Sequence, residues 1–129
     1  MARQENEAIH KRQLDAFQKG DLDTVMSQFS PDAVWHLPGK SLLAGDHKGI
    51  DAIRGFLTRA VAETQGTFRL ELLDAAYSDN NIFQWNRITA SRGGRSLNER
   101  ELLVFTVRNG KIVEVHHRPE QQLLDEFYS

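Results

Sequence analysis

The chain has 129 residues, 40% hydrophobic and 26% charged, with 16 basic and 18 acidic side chains for a net charge of −2. That length suits one domain with a single sizeable core, and the charge balance gives no long-range pull toward nucleic acid or an anionic membrane. With no cysteine, disulfides, thiol nucleophiles and thiolate metal sites are excluded.

The first residues, Met-Ala-Arg-Gln-Glu-Asn-Glu, are polar and contain no signal-peptide core. No apolar run approaches the roughly 20 residues that span a bilayer, so the expected location is cytoplasmic. Residues 5 to 19 read as a helix with Ile9, Gln13, Ala16 and Phe17 on one face. Gly20 stops it, and Asp21 caps a second helix over 22–29 that carries Leu22, Val25, Met26 and Phe29. Ser30-Pro31-Asp32 then turns the chain into a short strand, Ala33 to Leu37.

From Val34 to Gly49 the chain reads as one wall and the lip of a cavity. Trp35, Leu37, Leu42 and Leu43 are too apolar for a plain surface loop. A third helix over 50–64 turns Ile50, Ile53, Leu57, Ala60 and Val61 inward. Gly55 weakens it by about 1 kcal/mol relative to alanine, which suggests a close neighbour there.

Beyond Thr67 the period changes to that of strands. Phe68, Leu70 and Leu72 alternate, and then Leu73, Ala75 and Tyr77, a slip of phase that marks a β-bulge. Ser78-Asp79-Asn80-Asn81 makes a turn before the strand 82–91. Arg92-Gly93-Gly94-Arg95 and Asn109-Gly110 read as hairpins, with strands over 96–108 and 111–117 and Pro119 opening a short terminal helix around Leu123, Leu124 and Phe127. The expected fold class is α+β: three N-terminal helices packed on a curved, mostly antiparallel sheet, forming a cone with an internal pocket. The long strands are apolar on both faces, with Leu103, Phe105 and Val107 against Leu102 and Val104. A homodimer through the outer sheet face is therefore expected. A concentration-independent monomer in analytical ultracentrifugation would overturn it.

This order of elements, with Gly20-Asp21-Leu22-Asp23, Phe29-Ser30-Pro31-Asp32-Ala33-Val34, Pro38-Gly39, Leu43-Ala44-Gly45, Gly49-Ile50-Asp51-Ala52-Ile53 and Val107-Arg108-Asn109-Gly110-Lys111-Ile112, resembles the nuclear-transport-factor-2-like superfamily of cystatin-like topology. That superfamily includes ketosteroid isomerase and the SnoaL-like polyketide cyclases. The resemblance implies a single SnoaL-like domain over residues 1–129. It does not fix function, because the fold hosts isomerases, cyclases, hydrolases, dehydratases and binders. The isomerase pattern uses a carboxylate base, a tyrosine and a protonated aspartic acid. The corresponding positions here are Leu37, Gln13 and a position near Leu103, so all three groups are missing. The carboxylate of the cyclases' last strand corresponds to His117, an imidazole able to move protons near neutral pH.

His117 and Glu101 are the catalytic candidates. Glu101 has a structural alternative, pairing with Arg87 or Arg100. Gln13 sits where a core prefers leucine and needs a partner: ligand, water or a strand side chain. The expected ligand-binding wall adds Phe17, Trp35, Leu37, Trp85, Leu103, Phe105 and Val115, with Val113 on the same inward phase. His36, Glu114 and His116 are expected to face away, and Asp46-His47 to lie in solvent. No metal site is expected, since the five histidines lack ligand spacing and His116 and His117 point to opposite faces. No cofactor is implied either, for there is no phosphate-binding glycine loop and no nucleophile elbow. The expected partner is a small apolar molecule, acted on by cofactor-free proton transfer. The alternative is a non-catalytic binding or assembly domain.

Overall fold

The computed structural model describes residues 2–129. Helix α1 (Ala2–Gln18) buries Asn6, Ile9, His10, Gln13 and Ala16. Gly20 takes φ +74° at its end. Asp21 then caps α2 (Leu22–Ser27), accepting a hydrogen bond from the Thr24 N–H, as the aspartate's short side chain allows. This helix is shorter than the sequence pattern suggested, because Phe29 already belongs to strand β1 (Phe29–Leu37). Ser30, Pro31 and Asp32 are absorbed as an irregularity between Phe29 and Val34.

The segment expected to be a loop folds back into a four-residue strand, β2 (Gly45–Lys48), antiparallel to β1. Helix α3 (Ile50–Ala62) follows Gly49, whose φ of +89° reverses the chain. No atom lies within 4 Å of the point where a Cβ on Gly55 would sit, so the expected close neighbour is absent. Four strands complete the sheet: β3 (Arg69–Tyr77), β4 (Asn81–Arg92), β5 (Arg95–Arg108) and β6 (Lys111–Pro119). They form an antiparallel meander with Gly93–Gly94 and Asn109–Gly110 at positive φ in two of its turns.

The six strands are ordered β2-β1-β6-β5-β4-β3, and β1 pairs with β6 in parallel. Two register slips bend the meander. Leu73 is an extra residue between the pairs Leu72–Asn86 and Asp74–Trp85, where the sequence phase breaks. Val113 is an extra residue opposite Thr106 and Val107. That bulge removes Val113 from the inward phase expected for it and leaves it half-buried. Pro119 closes β6 opposite Glu101 rather than opening a helix, and the last helix, α4, is Leu124–Phe127.

The sheet's inner face packs on the helices around Trp35, Ile53, Phe56, Leu103, Phe105 and Val115. Its outer face carries half-buried Phe83, Trp85, Leu102 and Val104. Among the described residues no helix is long and apolar enough to cross a membrane.

Candidate functional site

Between the inner sheet face, α1, α3 and the C-terminal turn lies a cavity of about 80 Å³. One water needs only about 10–15 Å³, so there is room for several waters or one compact organic molecule. The wall is largely apolar, with Leu14, Phe17, Leu37, Phe56, Leu103 and Phe105 on it. The C-terminal segment supplies Leu124 and Tyr128 to the same wall. Arg92 and Arg95 donate to the backbone of this segment, and three further contacts strap it down. The Tyr128 hydroxyl donates to the Ala60 carbonyl at 2.7 Å, the Leu42 N–H to the Tyr128 carbonyl at 2.8 Å, and the Lys40 N–H to Asp125 at 2.8 Å. Buried Glu99 holds the approach, its carboxylate accepting the N–H groups of Gln121 and Leu123.

A few polar groups interrupt the apolar lining. Glu101 and His117 face inward from β5 and β6, and the His117 Nε2 stands 2.5 Å from a Glu101 carboxylate oxygen. Both side chains are almost wholly buried, at 3% and 9% exposure. The Trp35 indole N–H donates to His117 Nδ1 at 3.2 Å. With Nδ1 accepting, the proton of the neutral ring belongs on Nε2, which donates to Glu101. Neither ring nitrogen is then free. The carboxylate's remaining lone pairs are the open proton acceptors at this end of the cavity.

A chain of hydrogen bonds runs from Glu101 toward the surface. Asn86 Nδ2 donates to its other oxygen at 3.2 Å, Gln84 Nε2 to Asn86 Oδ1 at 2.8 Å, and His10 Nε2 lies 2.7 Å from Gln84 Oε1. His10 Nδ1 meets the Tyr77 hydroxyl at 2.6 Å. Amides fix the direction: Gln84 donates inward, so its oxygen must receive the His10 N–H, and Tyr77 donates to His10. Every donor in the chain points toward Glu101, which marks that carboxylate as the anion of the network.

Burial pushes the His10 pKa below its usual value near 6.5, the bond to Gln84 opposing. Between the lowered value and 6.5 the unfolded chain binds more protons than the folded one, so stability rises with pH across that window. Its contribution is complete above about pH 6.5 and is lost as pH falls through the folded-state pKa. Urea unfolding between about pH 5 and 7.5 should therefore show a flatter pH dependence for His10→Phe than for the native chain. Equal slopes would contradict the assignment.

Of the residues singled out from sequence, Gln13, Phe17, Trp35, Leu37, Glu101, Leu103, Phe105 and His117 all reach this cavity. Two do not. Trp85 lies on the outer face between inward Gln84 and Asn86, with the Arg100 guanidinium 5.6 Å from its ring centre. Val115 is fully buried in the core, opposite Trp35 and Phe105, and does not reach the lining. The alternative partners of Glu101 are engaged elsewhere: Arg100 pairs with Glu120 at 2.9 Å, and Arg87 donates to Asn98 at 2.8 Å. His47 is not simply solvated, since its ring stacks on Phe56 with centres 4.5 Å apart. Sequence reading missed Gln84, Asn86 and His10. The signal for Gln84 and Asn86 was present in β4, where two polar residues occupy the inward phase between Ile82 and Ile88.

Gln13 and His116 are the two exceptions to the pairing of buried side-chain polar atoms among the described residues, and Gln13 is the one at the cavity. Its residue is 6% exposed and its Oε1 is buried without a hydrogen-bond partner among the described residues. Residues 10–115 match the SnoaL-like domain. The chain belongs to the SnoaL-like domain family. The uncharacterised protein Rv0034 of Mycobacterium tuberculosis is 33% identical to this SnoaL-like chain over 120 residues, covering 92% of this chain and 85% of that protein. Among solved structures, Bal32a from a soil-derived mobile gene cassette is 35% identical, with full coverage of both chains and a TM-score of 0.95. An NTF2-like protein from Burkholderia xenovorans LB400 is 21% identical with a TM-score of 0.82, covering 98% of this chain and 97% of that one. That last likeness shows the shared fold alone.

Proposed function

We propose that this SnoaL-like domain binds a compact, mostly apolar molecule with one polar end, and moves a proton on it without a cofactor. The observation that carries the reading is the unpartnered, buried Oε1 of Gln13 in a largely apolar cavity. A buried acceptor without a partner costs about 1–3 kcal/mol, and a ligand hydroxyl or N–H would satisfy it. A pocket of apolar walls with a few placed polar groups is the usual design of a small-molecule site.

In this reading Glu101 accepts the proton, while His117 holds the carboxylate in place by donating its Nε2–H to it. Trp35 fixes the tautomer that lets His117 do so. Isomerisation, cyclisation, dehydration and epoxide opening share this requirement for one placed acid–base group. Because Leu37 stands where the isomerase base resides, the chemistry belongs to the opposite wall.

A thermal-shift screen of compact hydroxylated aromatics and cyclic ketones is the direct test, since a ligand that prefers the folded state raises the melting temperature. Gln13→Leu should stabilise the ligand-free protein by about 1 kcal/mol while weakening any ligand found by tenfold or more. A ligand that binds the variant undiminished sinks the reading. The engagement of both His117 nitrogens favours a second reading, binding without turnover. It predicts the same Gln13→Leu loss of affinity, with no product formed from any bound ligand.

A further inference from the structure

We propose that the outer face of the sheet carries a transition-metal site, separate from the cavity, with His36, His116 and Glu114 as ligands and Asp46 behind His36. The parallel pairing of β1 and β6 sets His36 directly opposite His116. Their rings stack at 4.7 Å between centres with only 13° between planes. Glu114, two residues before His116 and on the same face, reaches between them. One of its oxygens is 2.8 Å from His36 Nε2 and the other 3.5 Å from His116 Nε2. One ligand atom from each residue falls within 4.8 Å of the other two.

Strand spacing alone would make a histidine pair, but two further observations make it a ligand set. First, Asp46 on β2 accepts the Nδ1–H of His36 at 2.7 Å. A carboxylate behind an imidazole fixes the ring's orientation and leaves Nε2 as the coordinating atom, the arrangement that supports histidine ligands in metal proteins. Second, His36, His116 and Glu114 are 25%, 39% and 41% exposed, and the two histidines border a groove with Asp46 and Arg118. An ion therefore has an entry path, and a fourth coordination position opens onto that groove.

Two imidazole nitrogens and one carboxylate suit Zn²⁺, Ni²⁺ or Cu²⁺, whereas Mg²⁺ and Ca²⁺ prefer all-oxygen shells. Binding would replace the His36 Nε2 proton, now shared with Glu114, and release it to solvent. Zinc takes imidazole nitrogens at roughly 2.0–2.1 Å, the distance at which a bound ion would hold the two rings.

Calorimetric titration of the full chain with zinc chloride and nickel chloride tests the site. One ion per chain is expected. His36→Ala and His116→Ala should each abolish saturable binding, and Asp46→Asn should weaken it about ten- to a hundredfold. His47→Ala should leave it unchanged, and magnesium chloride should give no binding heat. All of these positions are partly exposed, and circular dichroism of each variant confirms that it is folded. No saturable binding to the native chain overturns the proposal. So does binding that survives both histidine replacements, that Asp46→Asn leaves untouched, or that magnesium matches.

Discussion

Replacing His117 with alanine is expected to lower the free energy of unfolding by about 3–5 kcal/mol, the usual result of leaving a buried charge without its hydrogen-bonding partner. The reason lies in what remains. Glu101 is 3% exposed and would keep only the 3.2 Å bond from Asn86, in a cavity whose walls are largely apolar. The Trp35 indole N–H would lose its acceptor as well. Two outcomes separate this pairing from a simple packing loss. The double replacement Glu101→Met, His117→Leu should recover most of the stability, because well-packed apolar residues often replace a buried pair at little cost. Urea unfolding of both single variants and the double variant gives the coupling directly. If the double variant is as unstable as the sum of the singles, the pair is not coupled and the reading of Glu101 as the network's anion fails. Any turnover found with a screened ligand should be absent in the stable double variant.

Tyr128→Ala should cost a comparable 3–5 kcal/mol, as expected for emptying a buried aromatic site. The ring is 1% exposed, packs edge-on against Phe127 and lines the cavity. Its hydroxyl donates to the Ala60 carbonyl, and burial pushes the phenol's pKa well above its ordinary range, so it remains a donor at any working pH. Tyr128→Phe isolates that bond and should cost about 1–3 kcal/mol, because the Ala60 carbonyl is left unpaired. Limited proteolysis offers an independent readout. The Ala variant should be cut in the residues after Pro119 far faster than the native chain, and a bound ligand should slow that cutting. Equal cleavage rates in both proteins would show that the C-terminal segment is not held through Tyr128.

Much of this architecture was legible in the sequence because its signals are local. Asp21 caps, Gly93–Gly94 turns, and the phase slip at Leu72-Leu73 is the bulge itself. The inward direction of Gln13, Glu101 and His117 also followed from periodicity, His117 itself having been singled out by the resemblance, and the three meet at one cavity. What was not legible depends on contacts between distant segments. Trp85 was expected at the ligand, but one residue of phase in β4 places it outside, where Gln84 and Asn86 take the inward positions. The His36–His116 pairing was invisible for a related reason. Ligand spacing is sought along the chain, whereas here the two rings meet only because β1 and β6 run parallel. Val115 lies on the correct face but too deep, a matter of packing that alternation does not encode.

The slip at Leu73 bears on more than curvature. β3 is an edge of the sheet, and it exposes Leu72 and Leu73 at 39% and 38%, a combination that invites another chain to add a strand. An unbroken edge would offer a regular row of N–H and C=O groups. Here the extra residue interrupts that row midway, and Glu71 and Asp74 set charges on either side of the break. The opposite edge, β2, is only four residues long and carries Asp46 and Lys48. Both rims thus discourage strand-to-strand aggregation.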